Sequence, residues 1–121
     1  METLRVRAAL LKQIRKFFDD RGYFEVETPL LSQDTVVDAH IDPFAVPLND
    51  GTSSGPCDVC WLQTSPEFAM KRMLAAGAEA IYQITRSFRQ GESGNQHNPE
   101  FSIVEWYRVG DSYRDQMDLI E

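Results

Sequence analysis

The side chains best suited to chemistry cluster in FRQGESGNQHNPEFSIVEWY, from Phe88 to Tyr107. Arg89, His97 and Asn98 bring a cation and several hydrogen-bond donors to one end of this stretch. Pro99 drives Asn98 towards an extended backbone. Phe101 adds a flat apolar surface beside them. Phosphate is recognised by the first set and a purine ring by the second. A nucleotide satisfies both. An exposed polar loop with a chance aromatic neighbour has the same composition.

The end of the stretch alternates. Phe101, Ile103, Glu105 and Tyr107 share one face, and Ser102, Val104 and Trp106 the other. Both faces are apolar, so this strand is expected at the centre of its sheet. Glu105 then needs a cation or donors. Its partner is either an internal Lys or Arg, or the ammonium group of a ligand. A second carboxylate, Glu67, lies in TSPEFAMKRMLAAGA. There Ser65 suits an N-cap and Pro66 the first helical position. A carboxylate in a first turn favours the helix dipole, which explains Glu67 without any ligand. Cys57 and Cys60 form one C-x-x-C, half a zinc site, and His40 and His97 stand at no recognised ligand spacing. They read as two loop thiols, and no metal site is assigned.

These residues need elements to hold them. Leu4, Ala8, Leu11, Ile14 and Phe18 recur at helical steps, and Gly22 is placed to end that helix. Phe24, Val26 and Thr28 alternate with Tyr23, Glu25 and Glu27, which predicts a strand stopped by Pro29. Residues 32 to 42 have no period and read as a loop. PFAVPL and CWLQTS read as two short strands around the turn-forming NDGTSSGP. Phe68, Met70, Met73 and Leu74 supply the apolar contacts of the helix after Ser65, which Gly77 can end. AIYQITRSFR alternates with Tyr82, Ile84, Arg86 and Phe88 on one face. It pairs most simply in antiparallel fashion with the Phe101 strand, across the polar loop. SYRDQMDLIE begins another helix. The fold class expected is α/β in the broad sense (α+β): a mainly antiparallel sheet flanked by helices.

The 121 residues are the size of one domain, 42% of them hydrophobic, with a formal net charge of −7. That charge argues against sequence-independent nucleic-acid binding, which relies on Lys and Arg neutralising phosphates. It leaves room for a local basic pocket. No apolar run approaches the ~20 residues that cross a bilayer. The N-terminus has no signal-peptide pattern, so a cytoplasmic location is the default expectation.

Three segments carry a family resemblance. FRQGESGNQHNPEFSIVEWY resembles motif 2 of the class II aminoacyl-tRNA synthetases in its lysyl form. RGYFEVETPLL resembles motif 1, closing proline included. TSPEFAMKRMLAAG looks like the segment that follows in lysyl enzymes. The match runs from about Arg7 to Tyr113, with the segments in order. It implies one unit over 1–121, the N-terminal portion of a class II catalytic domain, with motif 1 at about 21–31 and motif 2 at about 81–108. The wording TSPE and EWYR, and a start at the helix leading into motif 1, is similar to the elongation factor P–lysine ligases. These synthetase paralogues activate a lysine, typically the (R)-β isomer, and attach it to a lysine of elongation factor P.

The resemblance implies roles by position. Arg89 is the catalytic candidate, holding the α-phosphate of ATP and neutralising charge in the transition state. Gln90, Gly91, Glu92, His97 and Asn98 accompany it around the nucleotide, and Phe101 stacks on adenine. Ser65, Pro66 and Glu67 form the substrate loop, and Glu105 and Tyr107 the pocket for the substrate's far end. Glu67 and Glu105 then meet the two ammonium groups of lysine or β-lysine. The implied partners are elongation factor P and a second copy through the motif 1 region, with transfer RNA and membranes not expected. A lysyl-tRNA synthetase fragment and a non-catalytic binding or dimerisation module are the alternatives.

Two departures stand out. The glutamate usual two places after the motif 2 arginine is Gly91, with Glu92 one later. Either the loop shifts Glu92 to the adenine amino group or a backbone carbonyl does that work. Motif 3, with its second arginine and the acidic Mg2+ ligands expected for the full-length family, does not follow. The expectations are weak or no adenylation by this chain alone, and an apolar sheet edge that favours dimers, aggregation or marginal stability.

Overall fold

The computed structural model describes residues 1–48, 59–92 and 94–121. The turn chemistry expected around Asn49–Pro56, and Cys57, lie outside them. The elements, in chain order, are α1 (Glu2–Asp19), β1 (Phe24–Glu25), β2 (Leu31–Ser32), β3 (Ala45–Pro47), β4 (Val59–Leu62), α2 (Glu67–Ala75), β5 (Ala80–Phe88), β6 (Glu100–Arg108) and α3 (Tyr113–Ile120).

Helix α1 follows the apolar stripe, and Gly22 closes it at φ +76°. The Tyr23 N–H donates to the Phe18 carbonyl at 3.1 Å and the Gly22 N–H to the Asp19 carbonyl at 3.0 Å. This is a Schellman ending, and its usual apolar contact is present: the Phe18 and Tyr23 rings meet edge-on at 5.3 Å. The far half of the helix leaves Leu4, Val6 and Leu10 exposed. Helix α2 ends in the same way at Gly77, φ +106°, with the Ala78 N–H on the Met73 carbonyl. Ser112 and Asp115 form a capping box at the start of α3.

The strands form two three-stranded sheets, ordered β1-β5-β6 and β2-β4-β3. β5 and β6 pair antiparallel over nine residues each, as their alternation predicts. β3 and β4 also pair antiparallel. The first sheet is mixed, because β1 runs parallel to β5. The strand expected over 23–28 is two residues long, extended by one bond from the Val26 N–H to the Tyr82 carbonyl. Beyond it the chain leaves the ladder, and Thr28 turns its hydroxyl inward to Gln83.

A second expectation is corrected. The central strand is β5, and β6 lies at the edge of the described sheet. The apolar residues on both faces of β6 have another cause. Val104 and Trp106 pack on the core that Phe18 anchors, while the opposite face turns towards the α2 segment. Phe18 stacks on Tyr82 at 4.7 Å and lies 5.4 Å from Trp106, whose indole N–H donates to Gln116 of α3 at 2.7 Å.

Side chains alternate across a strand, so the sheet has two characters. Tyr82, Ile84, Val104 and Trp106 meet the helices. Directly paired residues on the other face are Ile81 with Tyr107, Gln83 with Glu105, Thr85 with Ile103, and Ser87 with Phe101. That face is polar yet covered: Thr28, Gln63, Thr64, Gln83 and Ser87 are all buried. Among the described residues no helix is long and apolar enough to cross a membrane.

Candidate nucleotide and ammonium site

A cavity of about 690 Å³ opens at the loop end of the β5–β6 pair, lined by Arg89, Gly91, Glu92, Gln96, His97, Asn98 and Phe101. Ligand clefts commonly have ~300–1,000 Å³. Six of the seven residues expected around a nucleotide face this space. Gln90 does not; its backbone N–H instead donates to the Asp42 carbonyl at 2.8 Å, pinning the loop to the 38–44 segment. Gln96 was not expected from the sequence. A turn, with Gly94 and His97 exchanging backbone bonds at 3.1 and 3.3 Å, carries it into the lining.

Arg89 is held from several sides. Its backbone N–H donates to the Pro99 carbonyl at 2.9 Å, which closes the ladder beyond Phe88. Its Nε donates to the Thr64 carbonyl at 3.4 Å, a long bond. The guanidinium carbon stands 5.0 Å from the centre of the Phe101 ring, within cation–π range. Gly91, at φ +81°, reverses the chain and brings Glu92 back to 3.6 Å from Arg89. A non-glycine residue is strained at that angle.

Glu105 occupies a second centre on the same face. Its Oε2 accepts from the Ser65 hydroxyl at 2.8 Å and its Oε1 from the Tyr107 hydroxyl at 2.5 Å. Among the described residues it has no ion pair with a Lys, Arg or His. Burial raises the Tyr107 phenol far above its ordinary pKa, helped by its bond to Glu105 and by the charges of Glu105 and Glu67. The phenol thus stays a donor to a carboxylate that lacks a cation.

Glu67 differs. Its Oε1 is 2.5 Å from Lys71 Nζ, one turn along α2, so this acid has a cation of its own. Ser65 ties Glu105 to the start of α2, since its hydroxyl also accepts the Glu67 backbone N–H at 3.1 Å. The helix is assigned from Glu67, with Pro66 already helical at φ −75° and fully buried, so Ser65 acts as the cap the sequence predicts. Ser65 and Tyr107 are therefore gathered at Glu105, Glu67 is next to them, and Phe101 stands four residues along β6, with Arg89, just past the end of β5, beside its ring. At ~3.3 Å per residue, Phe101 and Glu105 are separated by about 13 Å along the strand.

Sequence reasoning passed over Gln63, Thr64 and the Thr28–Gln83 pair. One signal was available: Gln83, Thr85 and Ser87 share a face of a strand, an odd stripe for a buried sheet. Among the described residues, no three His, Cys, Asp or Glu side chains converge as a metal site, and Cys60 is a buried free thiol.

The chain that builds this α+β sheet, with a polar cleft at its loop end and Glu105 further along the same strand, matches one family along its full length. The model of the class II tRNA synthetases (D, K and N) covers residues 1–121, and the chain belongs to that family. Within it, the relatives it resembles are elongation factor P–(R)-β-lysine ligases. The protein so named from Yersinia enterocolitica is 51% identical over 117 residues, covering 95% of this chain and 35% of that protein. The one from Mannheimia succiniciproducens is 48% identical over 119 residues, with 94% and 35% covered. The one from Vibrio campbellii is 48% identical over 122 aligned residues, with 100% and 37% covered. The chain thus spans about a third of the length of these relatives.

Proposed function

We propose that this chain carries the nucleotide cleft and the ammonium pocket of a ligase that activates lysine or (R)-β-lysine with ATP and transfers it to a lysine of elongation factor P. The observation that carries the reading is Glu105. It is a part-buried carboxylate with two hydroxyl donors and, among the described residues, no basic partner. Such a group is costly unless a cation arrives. An alkylammonium supplies one, and Arg89 and Phe101 on the same face suit a phosphate and a purine.

In this reading Arg89 holds the α-phosphate. The substrate carboxylate attacks phosphorus, the bond to pyrophosphate breaks, and an acyl-adenylate forms. The acceptor amine then displaces AMP from the acyl carbon and loses a proton as the amide forms. Arg89 offsets the charge that develops on phosphorus. Gly91, Glu92, His97 and Asn98 enclose the nucleotide, while Gln90 holds their loop in place through its backbone bond to Asp42. Ser65, Pro66 and Glu67 shape the wall facing Glu105 and Tyr107, and Glu67 exchanges Lys71 for a second substrate ammonium. Mg2+ would offset phosphate charge when bound; the described residues offer it no cluster of ligands. Residues 21–31 and 81–108 act as motifs 1 and 2, and the first of these supports a homodimer in the cytoplasm. Transfer RNA is not needed as the acceptor.

Calorimetry with ATP, then with (R)-β-lysine and L-lysine, tests the binding. Arg89→Ala should weaken the nucleotide and Glu105→Gln the amine. Supplying elongation factor P and transfer RNA in parallel separates a ligase from a lysyl-tRNA synthetase. Failure to bind any nucleotide at millimolar concentration overturns the reading.

A further inference from the structure

We infer that Gln63 is a positioning residue that sets the two halves of the site relative to each other. It follows β4 and lies against β5, just where β1 has left the strand's edge. Four of its bonds are to other segments. Its backbone N–H donates to the Leu30 carbonyl at 2.9 Å, and its carbonyl accepts from the Phe88 N–H at 2.9 Å. Its side-chain NH2 donates to the Arg86 carbonyl at 2.7 Å and to the Thr85 hydroxyl at 3.2 Å. One buried residue therefore completes the ladder of β5 at both Arg86 and Phe88, with its main chain and its side chain. Buried backbone groups need such partners.

The next two residues are what make this functional. Thr64 gives its carbonyl to Arg89 Nε, and Ser65 gives its hydroxyl to Glu105. Neither contact survives if the 63–65 segment slides along β5. The hydrogen bonds of Gln63 go to Leu30, Thr85, Arg86 and Phe88, not to Arg89 or Glu105, so it acts through Thr64 and Ser65. The amide is the side chain this needs: it has two N–H donors for two acceptors on adjacent β5 residues, and no charge to desolvate.

The affinity part of this inference rests on the proposed nucleotide and ammonium reading; the positioning part does not. Gln63→Met keeps length and apolar bulk and removes both donors. The first readout is the Arg89 Nε–H signal in 15N spectra, assigned by its loss in Arg89→Lys. Its exchange with water should speed up at least threefold in Gln63→Met. The second is calorimetry, where ATP and (R)-β-lysine should both weaken three- to tenfold, whereas Ser65→Ala weakens the amine alone. Should Gln63→Met fail to fold by circular dichroism, Thr85→Val removes one acceptor, and a twofold faster exchange is expected. A lowered melting temperature with unchanged Arg89 exchange overturns the inference. If the parent chain binds neither ligand, the proposed function fails while the Arg89 exchange still decides the role of Gln63.

Discussion

Tyr107 donates its hydroxyl to Glu105 at 2.5 Å from two places along the same strand, where both side chains stand on the face that Ser65 approaches. Burial, and then this bond, raise the phenol's pKa, so the hydroxyl keeps its proton and donates the hydrogen bond. The Glu105 carboxylate is thus oriented by two hydroxyls, from Tyr107 and Ser65.

Glu105→Gln keeps the shape and removes the charge. Hydrogen bonds to charged groups contribute ~1.5–3 kcal/mol, so (R)-β-lysine should bind roughly 10- to 150-fold more weakly, with ATP affinity little changed. Titration calorimetry reads both; equal losses for the two ligands would count against a dedicated ammonium pocket.

Arg89→Ala should do the reverse. The loss expected for ATP is again ~1.5–3 kcal/mol. Arg89→Lys should recover only part of it, because an ammonium lacks the planar fork that fits phosphate oxygens. Full recovery by lysine would mean that charge alone matters.

Glu92 stands 3.6 Å from Arg89 and both are partly exposed. Pairs of this kind contribute ~0.2–1 kcal/mol. Glu92→Gln should therefore tighten inorganic pyrophosphate by no more than about fivefold. If Glu92 also reads the adenine amino group, the same variant loses preference for ATP over GTP, which competition binding measures.

Burial and the bond to Glu105 raise the Tyr107 phenol, and burial with a bond to Asp19 raises the Tyr82 phenol. A raised folded pKa means that the protonated phenol is favoured in the folded state. The stability so gained is whole below the ordinary tyrosine value near 10, and is lost as pH rises beyond it towards the folded values. The melting temperature should fall above about pH 10, less steeply in Tyr107→Phe. An unchanged slope in that variant would place the effect elsewhere.

Phe18 is buried between Tyr23, Tyr82 and Trp106. Phe18→Ala should cost ~3–5 kcal/mol, a large part of a small domain's stability. Urea melts followed by circular dichroism check this, and a cost below 1 kcal/mol would mean that α1 does not hold the sheet.

Most of the elements are legible in the sequence. The helical stripe ending at Phe18, the cap at Ser65 and the two alternating strands follow from local periodicity, which is a property of neighbours in the chain. The polar loop with Arg89 and Phe101 was legible for the same reason: a hairpin returns its own ends to each other. The place of β6 was not, because edge or centre depends on whether a distant segment claims the other side of β6. Nor was the partner of Glu67, since periodicity does not choose between the helix dipole, Lys71 and a ligand.

By itself, then, the sequence determined most of the elements, though not the short strand β2, together with the faces of the long strands and the chemical types brought to each face. Only the tertiary structure decided that β1 pairs with β5, that Gln63 covers the edge β1 leaves, and that Glu105 meets hydroxyls and no cation among the described residues. Those outcomes depend on segments far apart in the chain competing for the same hydrogen-bonding groups, and local spacing carries no record of which one wins.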